Sequence, residues 1–545
     1  MVAESAHPSS TPNPFVSRSK HHGWAKMDDV PDQSSKKDTT LLEEELPAGT
    51  RITSEESVDP IVDSMPESST AAAETATRSN HWRHHSSNSH HNHHFRVYKR
   101  RWFGLIQLIL LNIVVSWDWL TFAPLSATSS EYFNVSETAI NWLSTGFLFA
   151  FVVISPLVIW TLNRGPKEAI ISASVLVLLG NWIRYAGTRA TGGHYGVVMF
   201  GQILTGLAQP FVLAAPTRYS DLWFTEGGRV SATAVASLAN PFGGALGQLI
   251  GPLWCTKASE VPNMVLYTAI ISSVAALPSF FIPEKPPTPP SASSALPKTP
   301  LKETISHLIH TPSFYPIFIA FSVYVGFFNA FSSLLNQILE PYGFTETQAG
   351  ICGAVLIVVG LVFAAFTSPV FDRTHAYLLG IKLFIPVIAI CYLAFVWAPQ
   401  TRSLGAPYAI AAILGAASFA LVPIALEYLV EVAYPASPEA GSTICWAGGQ
   451  LLGGVFIVIM NALKEGTLQV VEGGDGKGQG PGDRPPGNMY RALVFQAVVA
   501  CVVMPLPLAL GIKRLGLGAG AVKGRLRLDE AGEAEAEGER QEDGA

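Results

Sequence analysis

Chemistry concentrates in Trp117-Asp118-Trp119. A carboxylate between two indoles suits a cation, since the acid supplies charge and each indole a π face worth about 0.5–2 kcal/mol to an ammonium. The triad stands near the far end of an apolar run from Trp102 to Phe122, long enough to cross a bilayer, which takes about 20 residues. An acid at that depth costs about 2.5–3.5 kcal/mol, so Asp118 should face protein or water. The plainer alternative is an interfacial belt of tryptophans with a snorkelling acid. Gln202, Gln209, Asn240 and Gln450 lie in other apolar runs, where an unpartnered amide is costly. Gln209 and Gln450 read as substrate contacts, and Gln202 and Asn240 as hydrogen-bonding glue between helices.

The elements that must position these groups are membrane helices. Of 545 residues, 49% are hydrophobic and only 14% charged, well below the roughly 25% charge of soluble chains. Twelve apolar segments of spanning length follow one another: 102–124, 138–162, 168–188, 195–217, 230–254 and 262–282, then 313–338, 347–371, 376–397, 406–430, 440–463 and 489–511. Segments this long cross lipid as helices. Residues 1–97 form a Ser/His-rich tail expected to be disordered and cytoplasmic, 98–283 a first six-helix bundle, 284–311 a Pro-rich cytoplasmic linker, 312–513 a second bundle, and 514–545 a disordered acidic tail. No apolar run precedes Phe95, so no cleaved signal peptide is expected.

Loop charge places both termini in the cytoplasm. Arg164, Lys167, Arg218, Arg229, Lys285, Lys298, Lys302 and Arg373 fall on one side, while the first loop opposite carries Glu131, Glu137 and the sequon Asn134-Val135-Ser136. Arg184, Arg189, Lys464 and Arg484 dissent. The halves also resemble each other: Gly206-Leu207-Ala208-Gln209 matches Gly415-Ala416-Ala417-Ser418, and Asn240-Pro241-Phe242-Gly243-Gly244 matches Gln450-Leu451-Leu452-Gly453-Gly454. Parallel duplication of a six-helix unit sets the substrate between halves, near mid-membrane. Arg218 and Glu427 end corresponding helices of opposite halves, where a partly desolvated pair could latch the cytoplasmic mouth. Local pairing, of Arg218 with Asp221 or Glu226, is the alternative. Glu431 reads as part of the same cytoplasmic charge network.

The tail holds Asn80-His81-Trp82-Arg83-His84-His85 and His90-His91-Asn92-His93-His94. Such histidines could bind a transition metal or haem, although a low-complexity polar tail is the preferred reading. The five cysteines lie in apolar segments without metal-ligand spacing and read as small core residues. No cofactor, bound metal or nucleic-acid partner is implied, and no enzymatic constellation is visible. The expected partners are a small-molecule substrate and membrane lipid, with the protein a monomer.

Asn163-Arg164-Gly165-Pro166-Lys167 and Asp372-Arg373-Thr374, at equivalent loops of the halves, resemble the charged loop of the major facilitator superfamily. A more specific likeness runs through Tyr98-Lys99-Arg100-Arg101-Trp102, Trp119, Ile140-Asn141-Trp142-Leu143-Ser144, Gly201-Gln202, Ala208-Gln209, Pro216-x-Arg218, Trp223-Phe224, Leu334-Leu335-Asn336-Gln337, Glu431-x-x-Tyr434-Pro435 and Gln450. Here the chain resembles the feline leukaemia virus subgroup C receptor-related transporters. That resemblance implies an all-α membrane protein with the twelve-helix major facilitator fold, moving a small organic solute. Members are associated with choline and ethanolamine, with haem, and in a lysosomal branch with other metabolites. In choline-handling members a tryptophan of helix 1 and a tyrosine of helix 7 box the ammonium, helped by glutamines of helices 4 and 11. Trp119, Gln209 and Gln450 match three of these positions. The helix 7 position is Asn329 here, with Phe327 and Phe328 as candidate replacements, and Asp118 replaces a neutral residue.

The expectation is therefore a carrier working by alternating access, with choline- or ethanolamine-like amines first and haem second. Its substrate site comprises Trp117, Asp118, Trp119, Gln209, Asn329 and Gln450. Its gating network comprises Arg164, Arg218, Asp372, Arg373, Glu427 and Glu431. The plasma membrane ranks ahead of a vacuolar or lysosomal one. The rival from another class is a membrane sensor reading metal or haem through the His-rich tail without transport.

Overall fold

The computed structural model describes residues 98–190, 192–224, 226–288, 301–374, 376–433, 438–465 and 484–512, and among these there is no β-strand. Among the described residues the main helices are twelve: α1 (Arg101–Trp119), α2 (Glu137–Arg164), α3 (Pro166–Arg189), α4 (Tyr195–Trp223), α5 (Glu226–Trp254), α6 (Val261–Ala276), α7 (Phe314–Leu339), α8 (Glu346–Thr374), α9 (Tyr377–Phe395), α10 (Gly405–Ala433), α11 (Pro438–Ala462) and α12 (Tyr490–Val503). Among the described residues, 11 helical stretches are long and apolar enough to cross a membrane. The 29-residue α5 is the remaining long helix. Large apolar side chains such as Ile106, Val153, Phe281 and Phe366 stay exposed on the outside of the bundle, which in water would be a liability and in lipid is the required surface.

Local chemistry sets the helix ends. Ser136 caps α2, its hydroxyl accepting from the Ala139 N–H, and Pro166 opens α3, where a missing N–H costs nothing. The first helix stops at Trp119, short of the expected residue 124. Leu120 leaves the helical conformation and Pro124 sits in a short 3-10 turn, Ala123–Leu125; proline has no N–H to donate to the carbonyl four residues back, here that of Leu120, and its ring crowds that carbonyl. A short helix, Ser126–Phe133, follows and ends on Asn134 in the left-handed conformation at φ 52°, which asparagine tolerates better than most residues. Asn134 is exposed there.

The packing repeats with a shift of six helices. α1 lies on α5 as α7 lies on α11, α2 on α4 as α8 on α10, and α3 on α4 as α9 on α10. The halves meet through α2 on α11 and α8 on α5, again a pair related by that shift. The glycines matched between halves sit at equivalent crossings. A Cβ on Gly206 of α4 would lie 2.7 Å from the Phe147 carbonyl oxygen of α2, and Gly415 of α10 abuts the Leu356 carbonyl of α8 in the same way. Gly243 of α5 meets the backbone of Ile113 in α1, and Gly453 of α11 meets the Asn329 side chain in α7. Small residues let these backbones approach closely enough to pack.

Candidate functional site

A cavity of about 1190 Å³ lies between the halves. Its closed end is built by four helices. α1 supplies Ser116 and Trp119, three apart and so on one face; α4 supplies Gln209; α7 supplies Phe328 and Asn329; α11 supplies Gln450. Trp119, Gln209, Asn329 and Gln450 are therefore brought together as the sequence suggested. The Asn329 side-chain amide donates to Gln450 Oε1 at 2.9 Å, fixing both carboxamides. Trp119 Nε1 and Gln209 Oε1, a donor and an acceptor, are buried with no hydrogen-bond partner among the described residues.

Asp118 and Trp117 do not join this wall. Successive helical residues point about 100° apart, so with Trp119 on the cavity its two predecessors face protein. Asp118 Oδ1 lies 3.1 Å from Arg184 Nη1 of α3, with both side chains 0% exposed. Its Oδ2 accepts from Asn181 at 2.6 Å, and its backbone carbonyl accepts from Gln202 of α4 at 3.0 Å. Arg184 also stands 5.2 Å from the centroid of Phe122. The acid expected to meet a substrate cation meets an arginine of its own half instead, which also accounts for the arginine that broke the loop-charge pattern. Trp117 packs on Trp254 of α5, centroids 5.7 Å apart. Of the two phenylalanines expected to replace the missing tyrosine, Phe328 lines the cavity, while Phe327 stacks on Phe456 at 4.2 Å inside the second half. Gln202 and Asn240 act as glue, Asn240 reaching the Asn112 carboxamide at 3.4 Å while also bordering the cavity.

The cavity opens on the side of the α2–α3 and α8–α9 connections, past Ser220, Asp221, Glu427 and Ser442. Arg218 Nη1 pairs within its own helix, 3.2 Å from Asp221 Oδ2, the local partner that the sequence offered as an alternative. Arg164 stacks on Trp160 with 3.6 Å to the ring centroid, and Arg373 is exposed. The side chains of Asp372 and Glu431, and the whole His-rich tail, lie outside the described residues. Among the described residues no group of three or more histidine, cysteine or acidic side chains could hold a metal ion.

The opposite side is shut by contacts between halves. Asn141 of α2 exchanges hydrogen bonds with Gln337 of α7, at 3.2 and 2.8 Å, and donates to Asn461 of α11 at 3.0 Å. Asn336 donates to Ser126 at 3.0 Å, Glu346 accepts from the Thr128 N–H at 3.1 Å, and Lys464 pairs with Glu137. Lys464, a second dissenter from the charge rule, is thus part of the closure; Arg484, a third, lies 3.3 Å above the Tyr490 ring. Sequence reasoning missed this network. Its signal was a concentration of amides in Asn141, Asn336, Gln337 and Asn461, at the ends of α2, α7 and α11 away from the mouth.

Two duplicated six-helix bundles around a central cavity, open at one end and bolted at the other, define a membrane carrier. The chain belongs to the Major Facilitator Superfamily, whose sequence profile matches residues 108–457. It is 32% identical over 381 residues to solute carrier family 49 member A3 of Danio rerio, spanning 68% of this chain and 80% of that protein. It is 29% identical over 385 residues to the choline/ethanolamine transporter FLVCR1 of Felis catus, spanning 67% of this chain and 68% of that one. The nucleoside transporter NupG shares the fold with TM-score 0.54 at 13% identity, over 76% of this chain and 99% of that structure. A bacterial homologue of the human lysosomal transporter Spinster, inward-facing, does so with TM-score 0.56 at 16% identity, over 76% and 97%. The protein is an integral multi-pass membrane transporter related to the feline leukaemia virus subgroup C receptor-related family.

Proposed function

We propose that the protein moves a small organic amine of the choline and ethanolamine class by alternating access, both termini being cytoplasmic. The observation that carries this reading is the convergence of Trp119, Gln209, Asn329 and Gln450 on the closed end of one cavity. A quaternary ammonium has no N–H to donate and needs no carboxylate partner; an indole face attracts it, by about 2 kcal/mol or more when desolvated. The withdrawal of Asp118 into an ion pair is therefore compatible with the quaternary ammonium of choline. Relatives named choline/ethanolamine transporter, among them proteins matched at 26% and 29% identity, add to this. Haem iron finds no histidine, methionine or cysteine among the described cavity-lining residues. Arg218 and Glu427, on opposite halves beside the mouth, are the residues that would meet as the mouth closes.

Purified protein in liposomes tests this. Labelled choline or ethanolamine should accumulate saturably, and Trp119→Ala should lower the uptake efficiency at least tenfold while the protein stays folded. Absence of uptake of either amine by the folded protein, or normal uptake by Trp119→Ala, overturns the reading.

A further inference from the structure

The cavity is far larger than its closed end requires. From Gln209 to Asp221 along α4, both on the cavity wall, is 12 residues, about 18 Å at the helical rise. Between these levels one wall is aromatic: Phe321, Tyr324 and Phe328 of α7, Phe419 of α10 and Trp446 of α11. Phe321 and Trp446 meet edge to face with centroids 5.3 Å apart, as do Phe328 and Phe419 at 5.3 Å. The Tyr324 hydroxyl is spent on the Ala500 carbonyl at 2.9 Å, so its ring, not its hydroxyl, is what the cavity meets. The facing wall carries Leu213 and Ala214 on α4 and Val235 and Leu238 on α5, interspersed with the hydroxyls of Thr217, Thr233 and Ser237. Phe321 and Phe328 are two turns apart, about 10 Å along the axis.

An amine no larger than choline would leave this slot unfilled. We infer that the slot is a second subsite that takes the apolar tail of an amphipathic ammonium whose head lies at Trp119. The proposal rests on the amine reading of the closed end and extends it to cations carrying an alkyl chain of several methylenes. Each methylene that leaves water for such a wall is worth about 0.8 kcal/mol, roughly a fourfold gain in affinity, until the slot is full. A site for the head alone would gain nothing and would reject longer chains.

Thermal unfolding of the purified full-length chain, titrated with choline and with alkyltrimethylammonium ions from methyl to octyl, separates the outcomes, since a ligand of the folded state raises the midpoint. The expected result is choline binding, with affinity rising by up to roughly fourfold per methylene over several members, and a flatter rise in Trp446→Ala and Phe321→Ala. Choline binding with no gain, or a loss, on lengthening overturns the tail subsite and leaves the head site standing. Neutral alkanols that bind as tightly as the ammonium series of equal length would keep the tail subsite and remove the amine reading. Failure of every ion to bind overturns both.

Discussion

Asp118 and Arg184 show what a single residue can and cannot reveal. The sequence marks Asp118 as a charge that must have a partner, and marks Arg184 as a cation on the wrong side of the membrane. That these two anomalies cancel is not visible in either helix, because pairing depends on how α1 and α3 rotate about their axes. Removing one member of a fully buried pair leaves the other uncompensated and costs about 3–5 kcal/mol. Arg184 is already poorly served, since its Nε and Nη2 find no acceptor among the described residues. Asp118→Ala should therefore lower the unfolding midpoint in detergent sharply, and Asp118→Leu combined with Arg184→Met should recover most of the loss. Equal damage from the single and double variants would show that the pair is not what holds these helices. Trp119 and its carboxamide companions were legible because family likeness and helical phase agree on them; the neighbouring Trp117 and Asp118 shared the composition and not the phase.

At the scale of helices, apolar length alone located nearly every span, and the exceptions have local causes. Pro124 cuts α1 short of its hydrophobic run and sends the chain into Ser126–Phe133, a turn that hydropathy averages away. The repeated glycines were legible as small-residue stripes, but their purpose needs the crossing partner. Gly206 has no room for a side chain, its Cβ position being 2.7 Å from a backbone oxygen that cannot rotate aside. Gly196, nearer the start of the same helix, has nothing within 4 Å of that position. Overpacking costs about 1–3 kcal/mol, whereas alanine in open helix improves on glycine by up to about 1 kcal/mol. Gly206→Val should thus reduce both thermal stability and uptake, and Gly196→Ala should change neither for the worse. Matched unfolding curves of the two variants check the contrast, which fails if Gly206→Val unfolds with the parent.

For the whole molecule, the cavity and the closure beyond its far end are two aspects of one state. The mouth is open between Asp221 and Glu427 while Asn141, Gln337 and Asn461 tie the halves together beyond the closed end. Two stretches that carry the family likeness, one containing Asn141 and the other Asn336 and Gln337, meet at this closure. Alternating access requires the ties to break when the mouth shuts, because a carrier open at both ends would leak. Uncharged hydrogen bonds contribute about 0.5–1.5 kcal/mol each, so a handful can bias the equilibrium without freezing it. A covalent tie would freeze it. In Asn141→Cys with Gln337→Cys, a short bifunctional thiol cross-linker should stop uptake, and reduction of a cleavable linker should restore it. The native cysteines are suitable background, four of the five being buried. Ligand binding from the mouth side should survive the cross-link, because the cavity remains reachable there. Continued uptake by fully cross-linked protein would mean that these ends of α2 and α7 need not separate, and that this closure is scaffolding rather than a gate.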